Sequence, residues 1–288
     1  MMTKKINDLH AFIFSKKNIK ILESIILFLA VFGFIVHLGL IYLNINYNIE
    51  FLKGVDNLLR NPISALYTPF SFILVYEAFL LVYYFPRSFT TSIRKEYEII
   101  SLVMIRKVFE DIPNINLESG ILNADSLPLF YNLAGILIIY YFIFLFKKVK
   151  SKIPKKDPKT NLSRFISYKK TLSIILLPIL FFLCFSNLYD WSYSVFILQN
   201  FTENVNNIFF IDFFTILILI DVFILLISFK YTEEYAQVLR NTGFIISTIL
   251  LRLSFSVYGL SSVLLLIGGV LFGLIILKIY QLAESKLD

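Results

Sequence analysis

The chain is poor in the side chains that most often build metal and redox sites. It holds one cysteine, Cys184, and two histidines, His10 and His37. A single cysteine excludes an intrachain disulfide and a site built of cysteine ligands. Two histidines form neither a histidine zinc centre nor a bis-histidine haem unless carboxylates supply most of the ligands. No cofactor and no metal are expected.

Charge is scarce too. Only 16% of the 288 residues are charged, while 58% are hydrophobic. Mean hydropathy is +0.76. A soluble domain of this size has too few polar side chains to cover that much apolar surface. Enzyme signatures are missing as well: the chain has no H-E-x-x-H, no G-x-S-x-G and no Gly-rich phosphate loop. Glu233-Glu234 with Arg240 lacks the histidines of a membrane peptidase. Tyr189-Asp190 lacks the Gly-x-Gly-Asp partner of an aspartyl protease. Lys278 stands at the end of its apolar run, where a retinal linkage needs a lysine midway. With no catalytic motif found, a non-enzyme is expected ahead of a lipid-modifying enzyme, for which no nucleophile or metal constellation is recognisable.

What is present is a series of long apolar runs, near 24–43, 66–85, 127–146, 171–189, 207–229, 242–258 and 260–280. Each approaches the roughly 20 residues that a helix needs to cross the hydrocarbon core. The expected fold is all-α: a polytopic integral membrane bundle with seven to eight membrane-embedded helices. The 242–258 run is short. It either extends into the Glu233–Arg240 stretch or forms a half-membrane hairpin with the next run. The 31 Phe and 17 Tyr suit lipid-facing rings and interfacial belts. The first run is too long for a signal-peptide core and lacks a small-x-small cleavage site, so it is expected to stay as an anchor.

Lysine and arginine bias gives the orientation. Lys4, Lys5, Lys16, Lys17 and Lys20 precede the first run, and segment 147–170 carries a dense basic cluster against a single acid, Asp157. Segment 190–206 carries Asp190 and Glu203 with no Lys or Arg. The bias places both basic segments and both termini on the cytoplasmic side of a cell membrane. The net charge of +7 is assigned to loops facing anionic lipid head groups, with no nucleic acid as partner. Three regions follow: membrane helices in 1–146, a basic loop in 147–170, and membrane helices in 171–288.

Parity then demands a fourth crossing before the basic loop. The amphipathic segment 88–112 is the candidate. Phe89, Ile93, Tyr97, Ile100, Met104, Val108 and Ile112 recur at helical spacing. Charges fill much of the rest, which favours a helix lying in the interface; parity favours crossing. Eight crossings also put 230–241 on the cytoplasmic side.

Three ionisable residues fall inside apolar runs: Glu77, Asp221 and Arg252. Counted from Pro86, Lys230 and Arg240, their depths are ~13, ~13 and ~18 Å at 1.5 Å per residue. Charges in the membrane face the bundle and take a partner or a task. If the three meet, one carboxylate pairs with Arg252 and the other titrates, which suits a proton relay or a cation site. The structural alternative is an ion pair that fixes helix register. His37 is expected to be a hydrogen-bonded structural residue. Pro178 frees a carbonyl near Ile174, and Gly269 with Gly273 reads G-x-x-x-G, a pattern of close helix packing within or between chains.

Glu77 within Phe72–Phe79, followed by Lys95–Ile100, resembles the second and third helices of a voltage-sensor domain. The chain departs from that family in lacking its arginine ladder, and Arg106 and Lys107 fall within the matching third helix. The functional expectation rests on the residues instead: a small transporter or channel-like protein with a midplane polar cluster of Glu77, Asp221 and Arg252. The alternative is a non-transporting scaffold or accessory subunit, working as a homo-oligomer or with a partner membrane subunit.

Overall fold

The computed structural model describes residues 2–47, 59, 61–112, 126–153, 162–196, 205–232, 234–257 and 259–285. Among them every regular element is helical: α1 (Met2–Ile13), α2 (Lys16–Tyr47), α3 (Tyr67–Tyr84), α4 (Phe89–Asp111), α5 (Leu127–Ser151), α6 (Leu162–Phe196), α7 (Val205–Phe229), α8 (Tyr235–Leu253) and α9 (Leu260–Glu284). Seven of the described helical segments are long and apolar enough to cross a membrane. The chain is a multi-pass membrane protein. The lysines of 154–161, Glu203, Glu233 and Lys286 lie outside the described residues.

Local chemistry sets the helix ends. A 3-10 turn at Pro62–Leu66 leads into α3, with Asn61 as its cap: the Ile63 N–H donates to Asn61 Oδ1 at 3.0 Å. Lys148 and Lys150 sit in the last turn of α5, where cations suit the carbonyl end of the helix. Helices α5 and α6 therefore run well into the basic segment, which is shorter as a loop than 147–170. Helix α8 begins at Tyr235, so the short apolar run is completed by its N-terminal extension, not by a half-membrane hairpin. It turns into α9 through Ser254–Ser256 and Gly259, whose φ of 70° favours glycine. Helix α6 continues through Pro178.

Packing makes α4 the centre of the bundle. It lies against α3, α5 and α8. Ile93, Tyr97, Ile100, Val103, Met104 and Val108 are buried, and Leu102 and Phe109, two turns apart, are its exposed large apolar side chains. Lys150 Nζ of α5 donates to Thr91 Oγ1 near the start of α4, 2.8 Å away. Towards its other end, Lys107 Nζ donates to Ser262 Oγ at the start of α9, 3.2 Å away. Between Thr91 and Lys107 the helix rises about 24 Å. It thus runs alongside both neighbours for most of their length and antiparallel to each, a place inside the bundle that agrees with the parity argument. Helix α4 itself is not among the seven segments long and apolar enough to cross. The packing has a physical reason: most of the charges on α4 find partners inside the bundle or with each other.

The basic end of the bundle gathers the two described termini. Lys170 Nζ of α6 donates to Asn7 Oδ1 of α1 at 2.9 Å, and Lys169 Nζ donates to the Arg87 carbonyl at 2.7 Å. Helix α9 parallels α5 and so ends at the same level. Helices α2 and α6 turn Phe28, Phe32, Phe182 and Phe185 outwards, as lipid-facing surfaces do.

Candidate functional site

Helices α4, α7 and α8 meet at Arg252. Its Nη1 donates to Asp221 Oδ2 of α7 at 2.5 Å, and its Nη2 donates to Glu96 Oε1 of α4 at 2.7 Å. Relative exposures are 3% for Arg252, 5% for Asp221 and 6% for Glu96. One planar guanidinium thus bridges two carboxylates, each engaging a different nitrogen. Thr248, one turn before Arg252, lies on the same helix face, and its hydroxyl donates to Asp221 Oδ2 at 3.1 Å. Arg252 stands near the C-terminal end of α8. Helical side chains lean towards the N-terminus, so its guanidinium reaches back along α8 to the level of Thr248.

Of the three residues singled out by depth, Asp221 and Arg252 come together and Glu77 does not. Glu77 Oε2 instead accepts from Arg106 Nη1 of α4 at 3.2 Å, with both residues 4% exposed. The reason is depth as well as azimuth: Arg106 stands ten residues, about 15 Å, from Glu96 along α4. Helix α3 packs on α2, α4 and α6, so α4 stands between Glu77 and α8. The place assigned to Glu77 is taken by Glu96. Glu96 and Arg106 were read only as members of a charged helix face; ten residues apart, they anchor two buried layers about 15 Å from each other.

A second polar chain runs beside the network. Tyr97 Oη lies 2.5 Å from Ser247 Oγ, which in turn donates to the Gly269 carbonyl at 2.6 Å. Tyr97 therefore supplies the proton of the first bond. A Cβ at Gly273 would overlap the Tyr97 hydroxyl, and one at Gly269 would lie 3.2 Å from the Ser247 carbonyl oxygen. The G-x-x-x-G seam is thus occupied within the chain, against α8 and α4. His37 Nδ1 lies 2.7 Å from Thr68 Oγ1 and ties α2 to α3, the structural role expected of it.

Beside the network, towards the α3–α4 corner, is a cavity of about 10 Å³, bounded on its polar side by Tyr84, Ser92, Glu96 and Arg252. That is room for about one water. Among the described residues, no cluster of His, Cys, Asp and Glu is arranged to hold a metal ion. No protein-family model, curated protein or solved structure matches the chain.

Proposed function

We propose that the chain is a small transporter or channel-like membrane protein whose working site is the Glu96–Arg252–Asp221 network and whose ion is the proton. The supporting observation is the charge count of that network. Two buried carboxylates share one guanidinium. Fully ionised, the three side chains sum to −1. The buried Lys169 of α6 is a further cation that feels Asp221, but its ammonium donates to the Arg87 carbonyl. A charge left unmatched away from water costs several kcal/mol. One proton brings the sum to zero. A structural lock needs only one carboxylate for its arginine, so the second is what a purely structural role leaves over. The neighbouring cavity admits one water, which favours a proton over a hydrated metal ion or an organic solute.

The test is proton flux into liposomes carrying the purified protein, under an imposed pH gradient and potential. Wild type is expected to conduct or exchange protons, and Glu96→Gln or Asp221→Asn to abolish the flux while the protein stays folded. Absence of flux from folded, correctly inserted protein would overturn the proposal. The scaffold reading would then stand, favoured by the way Arg252 ties three helices together.

A further inference from the structure

We infer that Glu96 gains and loses its proton from the basic end of the bundle, through one water held between the hydroxyls of Ser92 and Tyr84. The inference rests on reading the network as a protonation site, and it adds the route.

Polar positions recur along one face of α4. Ser88, Ser92 and Glu96 are spaced by four, which puts them on one stripe leading inwards from the α3–α4 corner. Ser88 is exposed, Ser92 is half-buried and Glu96 is buried. The distance from Ser88 to Glu96 along the helix is about 12 Å. Past Glu96 the pattern ends. Ile99, Ile100 and Val103, the next residues on that side, are buried and apolar. Ile99 and Leu217 of α7 are among the apolar residues that line the cavity. The carboxyl therefore has hydroxyls towards the basic end and hydrocarbon towards the other.

The cavity suits a single water. A buried water needs two to four polar partners. Glu96 offers Oε2, since Oε1 accepts from Arg252. Ser92 and Tyr84, both hydroxyl-bearing, are among the residues that line the cavity. Arg252 adds a donor: its Nε–H is buried without an acceptor among the described residues. Other charged groups on the neighbouring elements are Asp221 on α7, Lys169 on α6 and Lys150 on α5; on α4 itself, Tyr97 is committed to Ser247 and Glu98 to Lys95. In the transfer, a hydronium in the cavity gives one proton to Glu96 Oε2. That leaves a water and a neutral carboxyl, and the reverse step returns the proton to the basic end.

The experiment follows the carboxylic C=O stretch of Glu96 by difference infrared spectroscopy, identified by its loss in Glu96→Gln. Its hydrogen–deuterium exchange is timed in detergent, where no gradient is needed. Ser92→Val with Tyr84→Phe is expected to slow exchange by about tenfold, the kinetic equivalent of one lost relay hydrogen bond. Val103→Ala, which loosens the apolar side, is expected to leave the rate unchanged. Thermal unfolding midpoints check that each variant is folded. An unchanged rate in the double variant, or a faster one in Val103→Ala, overturns the route. If no Glu96 band titrates, the network reading falls with it. If the band exchanges through Ser92 and Tyr84 while liposomes show no flux, the route stands and the transport proposal fails.

Discussion

Arg252 and Glu96 are 156 positions apart in the chain, yet Nη2 of one lies 2.7 Å from Oε1 of the other. The contact crosses from α8 to α4 and joins the two halves of the sequence at a buried point. Arg252 also holds Asp221, so one side chain fixes the mutual register of three helices.

The charge count makes the three members unequal in stability. Removing Arg252 leaves two carboxylates facing each other without a cation. Arg252→Gln is expected to cost about 3–5 kcal/mol, as for one broken buried pair. Glu96→Gln leaves Asp221 paired with Arg252 and keeps an oxygen acceptor, so it is expected to cost about 1 kcal/mol or less. Reversible unfolding in mixed micelles checks the order; equal losses would refute the unequal roles.

The placement of α4 has a direct topological consequence. Ser88 precedes it at the basic end, and Ile112 follows it at the other. In a Cys184→Ser background, Ser88→Cys and Ile112→Cys are expected to react with a membrane-impermeant maleimide from opposite sides of sealed vesicles. Labelling of both from one side would return α4 to the interface.

The apolar runs and the parity of basic segments made most of this fold legible in the sequence, because a bilayer leaves few alternatives to a spanning helix. The pairing of Asp221 with Arg252 was legible from depth. Glu96 and Arg106 were not. Amphipathic reading takes the charged side of a helix as its wet side, and that inference fails for a helix enclosed by the bundle. Parity held the missing signal: a helix that passes through the bundle takes its charged side in with it, where each charge needs a partner. Counting residues from a helix end fixes neither azimuth nor depth closely, which is why Glu77 was grouped with helices on the far side of α4, although its partner Arg106 stands about 15 Å along α4 from Glu96.

Close packing at Gly273 gives a prediction free of charge effects. Its position leaves no space for a methyl group beside the Tyr97 hydroxyl. Gly273→Ala is expected to destabilise the protein by about 1–3 kcal/mol through overpacking. Gly268→Ala, which faces open space, is expected to be neutral. Adding Tyr97→Phe to Gly273→Ala removes the obstructing oxygen and is expected to recover part of the loss. Thermal midpoints of the three variants decide it; a neutral Gly273→Ala would deny the contact.

The two ion-pair layers are expected to behave as separate units. Glu77 and Arg106 lie 3.2 Å apart, with little water around them. Removing either partner leaves the other charge buried, whereas removing both leaves none, so the double-mutant cycle of Glu77→Gln and Arg106→Gln is expected to give a coupling of about 2–3 kcal/mol. Glu96 and Arg106 belong to different layers, about 15 Å apart along α4. At an effective dielectric constant near 20, two unit charges at that distance interact by about 1 kcal/mol. The cycle of Glu96→Gln with Arg106→Gln is therefore expected to give about 1 kcal/mol or less, and to shrink further if water reaches either layer. Cross-layer coupling as large as the coupling within a layer would mean that α4 moves as a rigid bar between them. A change at one layer would then be felt at the other through the helix and not through the field.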